Sequence, residues 1–210
     1  MNTPPARGRF GGPGSLPPAA GLSLVELVGV LAILVAVAAA AGTGVGHLRA
    51  VVSIRSAAAE VGAALYRARM YAITQGVNVG LKYRIRDGRA EWAIYGDGNG
   101  NGVRSAEIAS GIDPSLGILV LWSRNDVRPS IMTGAAVPDP DGSGRLSGSV
   151  DDPIRFNRSD ICSFSPTGES TPGSVYLWDG HDRMAVVRVY GRTAKIRTLY
   201  YKRGDRRWTE

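Results

Sequence analysis

Residues 20–42 read AGLSLVELVGVLAILVAVAAAAG, and from Leu22 to Ala41 the only formal charge is Glu26. A helix of twenty residues extends about 30 Å, the thickness of bilayer hydrocarbon, so the stretch reads as a single membrane crossing. The preceding MNTPPARGRFGGPGSLPPAAG carries Arg7 and Arg9 and no acid, which leaves the N-terminus in the cytoplasm and sends the residues after Ala41 outward. Its proline and glycine content argues against a folded element. Glu26 is the anomaly, because a carboxylate in hydrocarbon costs about 2.5–3.5 kcal/mol on insertion scales and normally implies a partner.

Three readings compete for this segment. A secretory signal combines a basic start, an apolar core and an Ala-x-Ala site, which Ala38 to Ala41 supply. A permanent anchor requires no cut. Neither accounts for Glu26. A cut after Gly21 does, because the new amino group at Leu22 then stands at i and i+4 spacing from the carboxylate. Within one chain the two groups lie along the same helix face, so the favourable pairing runs between packed helices, the ammonium of one subunit meeting Glu26 of the next.

The residues G-LSLVEL, with the charged segment before them, resemble the signature of type IV pilin-like precursors. That resemblance implies cleavage by prepilin peptidase between Gly21 and Leu22, N-methylation of Leu22 and an assembly role for Glu26. Leu22 stands where phenylalanine is commoner in the family.

Beyond the membrane segment, Val51, Ile54, Ala58, Val61, Leu65, Ala68 and Ala72 recur at steps of three and four, the mark of one helix face. Gly42, Gly44 and Gly46 weaken the helix before that face, each at about 1 kcal/mol relative to alanine, and a kink or melted turn is expected there. Gly76 is the expected stop. The period then changes to two. Val77, Val79, Leu81, Tyr83 and Ile85, a turn at Asp87-Gly88, and Ala90, Trp92 and Ile94 read as a β-hairpin. Further strands are expected at 118–122, 154–157, 174–178, 184–190 and 194–201, with a turn at Gly191-Arg192. Segment 133–153 reads as a long polar loop, and Trp92, Trp122 and Trp178 as core or interface residues.

The fold class expected is α+β, a long N-terminal transmembrane helix packed on an antiparallel β-sheet. Four regions follow: a leader at 1–21, a transmembrane half-helix at 22–41, an amphipathic half-helix at 42–76 and a globular β-rich part at 77–210. The stretches YRARMYAITQGVNVGLKY, FSPTGESTPGSVYLWDG and MAVVRVYGRTAKIRTLYY resemble the H-class minor pseudopilins of type II secretion and the FimT-like minor pilins. The resemblance implies a pilin-like structural subunit of a pseudopilus tip or initiation complex. It also implies a single-pass location in the bacterial inner membrane with the globular part in the periplasm. The implied partners are other minor and major pseudopilins or pilins, prepilin peptidase and the inner-membrane assembly platform. The alternative is a minor pilin that binds DNA for uptake.

Composition narrows the chemistry. The chain has 210 residues, 44% apolar and 20% charged, the profile of a folded protein. The single cysteine, Cys162, rules out an internal disulfide framework and a cysteine-clustered zinc site, and reads as a small buried hydrophobe. The net charge of +7 belongs to residues 183–210, which hold nine Lys or Arg against Asp205 and Glu210. Of these, Arg188, Arg192, Lys195 and Arg197, interleaved with Tyr190, Tyr200, Tyr201 and Trp208, suit phosphate contacts and base stacking. The competing reading is a solvated sheet face with a protected edge.

DGNGNGVRSAEI, residues 97–108, follows the form of a calcium loop at Asp97, Asn99, Asn101 and Gly102, with Asp113 downstream as a further acid. Its closing acid is displaced, Glu107 standing eleventh and Ile108 twelfth, so any Ca2+ held there is held weakly, and a plain Gly/Asn-rich loop is the simpler reading. Asp179, His181 and Asp182 have no accompanying nucleophile motif, and neither G-x-S-x-G nor H-E-x-x-H occurs. The chain is expected not to be an enzyme.

Overall fold

The computed structural model describes Gly21 and residues 23–210 apart from 87–88, 122–125, 143 and 147–151, with side chains omitted also at 40–45, 85–90 and 118–121. The leader 1–20, Leu22, the Asp87-Gly88 turn and Trp122 therefore lie outside the described residues, as does part of segment 133–153. The chain divides into two units, one ending at Gly44 and the other running from Val45 to Glu210.

A single helix, α1 (Leu24–Gln75), contributes to both units. It is helical through Gly42, Gly44 and Gly46, so the turn expected to melt is hydrogen-bonded helix. In the first unit its large apolar side chains are bare, from Leu24 at 79% exposure to Leu27 at 51%. Among the described residues no helix is long and apolar enough to cross a membrane.

In the second unit α1 buries Ile54, Ala57, Ala58, Val61, Ala64, Leu65, Ala68 and Ala72. The alanines let strands approach the helix closely. Gln75 ends it and Gly76 follows at φ 68°, a left-handed stop that glycine adopts without steric cost.

The strands β1 (Val79–Arg86), β2 (Arg89–Gly96), β3 (Ser115–Leu121) and β6 (Ile161–Phe164) form one sheet in the order β3-β2-β1-β6. The strands β4 (Arg128–Pro129), β7 (Gly173–Trp178), β8 (Arg183–Tyr190) and β9 (Lys195–Lys202) form a second, with β5 (Ile154–Phe156) also paired to β7. Every printed pairing is antiparallel. Two sheets replace the one expected because the outer edge of β6 is taken by the chain's own next segment, through Thr171 N–H to Ser163 O at 2.8 Å.

Each sheet is covered on both faces. Val79, Leu81, Trp92 and Ile94 of the first sheet and Val175, Leu177, Ala185 and Val187 of the second share one core with α1. The outer face of the second sheet packs Tyr176, Trp178, Met184, Val186 and Tyr201 against Ile131, Met132 and Val137. The segment expected to be a polar loop thus supplies cover: Val137 is buried and Leu146 packs beside it. The outer face of the first sheet carries Ala93, Tyr95 and Ile161 against Val103. A Cβ on Gly80 would stand 2.7 Å from Val103 Cγ1, so this glycine admits the 97–113 segment to the sheet.

Candidate functional site

The structure distributes the predicted residues over three places. At the start of α1, Gly21 is exposed with nothing within 4 Å of its missing Cβ. Ser23 caps the helix. Glu26 N–H donates to Ser23 Oγ and Ser23 N–H donates to Glu26 Oε2, both at 3.2 Å, the reciprocal pair of a capping box. The S-L-V-E spacing carries that signal in the sequence, beside the charge that Glu26 brings into an apolar segment. Ser23 keeps its N–H after a cut before Leu22, so the capping box is compatible with the processed chain.

The glycine-rich loop after β2 is organised around two carboxylates. Asp97 Oδ1 accepts from the backbone N–H of Asn99 at 3.2 Å and Gly100 at 2.7 Å, while Oδ2 accepts from Gly102 N–H at 2.7 Å and Asn78 Nδ2 at 2.8 Å. Burial opposes ionisation of Asp97, but the bonds from Asn78, Gly102, Gly100 and Asn99 outweigh it and hold the carboxyl below its ordinary value. Asp113, 1% exposed, accepts from the N–H groups of Gly98 and Arg104. Asn99 Oδ1 accepts from Asn101 N–H, and Asn101 Nδ2 donates to Glu107 Oε1 at 2.8 Å. Among the described residues no three His, Cys, Asp or Glu side chains converge as a metal site. The loop closes on its own amides, and α2 (Ser105–Ser110) continues it, with Ile108 packed on the first sheet.

The basic hairpin brings Arg188 and Arg197 directly opposite each other and Lys195 opposite Tyr190. Two like charges across a strand pair repel, and each arginine has its own counter-ion. Arg188 Nη2 lies 2.7 Å from Asp141 Oδ1, its guanidinium 5.9 Å from the Tyr190 ring centre. Arg197 pairs with Glu210. Arg192 and Lys195 are exposed, with no side-chain partner among the described residues. With Tyr190 and Arg197 they line a groove of about 480 Å3, and a second groove of about 380 Å3 runs between Arg197, Arg206, Arg207 and Trp208 on one side and the 138–144 segment, with Asp139, on the other. Trp208 was expected among the interleaved aromatics, whereas Arg206 and Arg207 were not among the predicted site residues. The fold-back of the tail, which brings them to the hairpin, has no local sequence signature.

The turn after β7 is closed by its own polar groups. Asp179 Oδ1 accepts from His181 and Arg183 N–H, and His181 O accepts from Trp178 Nε1 and Arg203 Nη2, so Asp179-Gly-His-Asp is a clamped turn. Cys162 is fully buried, and burial pushes its thiol well above the ordinary value. Trp92 and Trp178 are core residues, as expected.

The family described as type II transport protein GspH matches residues 57–192, from the buried face of α1 to the turn between β8 and β9. Among curated proteins and solved structures, none matches the chain.

Proposed function

The chain belongs to the type II transport protein GspH family, a family of structural pseudopilins, and on that premise we propose that it works as a minor subunit at the tip or in the initiation complex of a type II secretion pseudopilus. The precursor is cut after Gly21 by prepilin peptidase and Leu22 is N-methylated. Residues 22–41 hold the subunit in the inner membrane, with the globular part in the periplasm. The assembly platform then draws it into contact with other pseudopilins, Glu26 pairing with a neighbour's terminal ammonium.

The observation that carries this reading is the bare apolar surface of α1. Between Leu24 and Val37 ten large aliphatic side chains are 51–79% exposed. A surface of that size is unfavourable in water and requires lipid or other helices. Glu26 at its start supplies the one charge that sets which helix end meets which.

The test is complementation of a strain lacking the subunit, scored for secretion and for DNA uptake together. The expected result is restored secretion, with the chain crosslinked to other pseudopilins through the 24–37 face. Loss of DNA uptake with secretion intact would support a DNA-binding minor pilin instead. The ion pairs of Arg188 with Asp141 and of Arg197 with Glu210 leave only Arg192 and Lys195 of the four predicted cations uncommitted, which weighs against that alternative.

A further inference from the structure

β9 is an outer strand of the second sheet, and its outward edge has a readable parity. In an antiparallel ladder the residues of a strand alternate between aiming their N–H and C=O at the partner and aiming them away. Tyr200 N–H donates to Thr209 O at 2.7 Å and Thr209 N–H returns to Tyr200 O at 2.9 Å; Lys202 N–H donates to Asp205 Oδ2 at 3.2 Å. Both bonds lie away from β8, so the even-numbered residues of β9 face outward. Thr198 and Ile196, next in the row, form no outward bond among the described residues.

The tail shows what this edge accepts. With Thr209 opposite Tyr200, the same register sets Trp208 opposite Tyr201 and Glu210 opposite Leu199. The ring centres of Tyr201 and Trp208 are 5.3 Å apart and Glu210 is ion-paired with Arg197. The tail is a short added strand whose outer-face side chains are an aromatic over an aromatic and a carboxylate over a cation. Leu199 and Tyr201 pack on the outer face, Ile196 and Tyr200 on the helix side. Lys195 therefore continues the outer row past Arg197, whose guanidinium the tail's Glu210 already holds.

We propose that the open stretch of β9, Lys195 to Thr198, takes an extended acidic segment of a partner protein as an additional strand. Main-chain bonds to Ile196 and Thr198 give the affinity, and a carboxylate seated opposite Lys195, with a second two residues away sharing Arg197 with Glu210, gives the choice of partner. The same cations repel basic strands and gain no partner from neutral ones, so the edge is protected from indiscriminate pairing while remaining open to one class of partner. The proposal concerns the sheet edge alone and stands whichever position the subunit takes in the pseudopilus.

The test is amide hydrogen exchange of the full chain in detergent micelles, with a synthetic peptide TVEVEVT, its counterpart TVKVKVT, or a single-stranded oligonucleotide. The glutamate peptide is expected to slow exchange at Ile196 and Thr198 about tenfold or more, and the lysine peptide to leave it unchanged. Thr198→Pro, placed where an edge strand tolerates proline, should abolish the effect without altering exchange in β7 and β8. If that variant proves unstable, Lys195→Glu, which leaves the Arg197 pair with Glu210 in place, should remove the preference for the glutamate peptide over the lysine peptide. Equal protection by both peptides, protection by neither, or slowing at these amides by the oligonucleotide alone would overturn the proposal.

Discussion

At Glu26 one carboxylate closes the capping box with Ser23 and is also the charge proposed to meet a neighbouring ammonium. Two substitutions separate the roles. Glutamine serves in a capping box as glutamate does, so Glu26→Gln retains the cap and loses the charge, whereas Glu26→Ala loses both. If charge pairing drives assembly, both variants are excluded from the pseudopilus in a crosslinking assay, and Glu26→Gln keeps the helicity that Glu26→Ala loses in part. Incorporation of Glu26→Gln at the wild-type level would assign Glu26 to capping alone. Asp97 gives a pH signature. Its folded value lies below the ordinary 3.8, so its contribution is complete above that value and is lost as the pH falls through the lower folded one. Asp97→Ala should lower the melting temperature by about 2–4 °C for each kcal/mol of hydrogen bonding removed, and flatten the acid side of the stability profile below about pH 4. An unchanged acid limb would show that the loop does not depend on the ionised group.

Among the elements, β1 and β2 were legible because their apolar residues keep a period of 2, β7 and β8 because each is a short, nearly unbroken apolar run, and the helix end because Gly76 follows the last turn of a 3.6 period. β4, β6 and α2 were not. β6 is four residues and β4 two, and α2 is six residues whose N-cap, Arg104, makes no side-chain cap bond, so no start signal marks it. The cover over the second sheet escaped for another reason: Ile131, Met132, Val137 and Leu146 are scattered among prolines, glycines and aspartates, and only the tertiary fold aligns them. What fastens that cover is Arg203, whose guanidinium donates to the carbonyls of Gly134, Thr133 and His181 at 3.1–3.3 Å, with Trp208 Nε1 donating to Pro138 O at 2.7 Å. Arg203→Ala should raise amide exchange across 131–139 severalfold while leaving β8 protected. The tightest strand contact lies at Gly173, where a Cβ would fall 2.2 Å from Arg155 O. Gly173→Ala is expected to cost about 1–3 kcal/mol in denaturant unfolding, the range for overpacking; a neutral result would mean that β5 leaves β7 without loss.

For the whole molecule, the family match spans 57–192 and so stops short of both the segment that decided the sequence reading and the tail that completes the basic groove. The secretion assignment and the membrane assignment therefore rest on different residues, the first on the α1–sheet unit and the second on the exposed aliphatic row of Leu24 to Val37. They are joined by a single event, the cut between Gly21 and Leu22, which would place a new ammonium beside that row. The most direct measurement is the intact mass and N-terminal sequence of the protein recovered from membranes of cells with and without prepilin peptidase. A chain beginning at N-methylated Leu22 only when the peptidase is present is the predicted result. A chain beginning near Gly42, or an uncut one beginning at Met1 in cells that contain the peptidase, would remove the partner assigned to Glu26 and contradict the account.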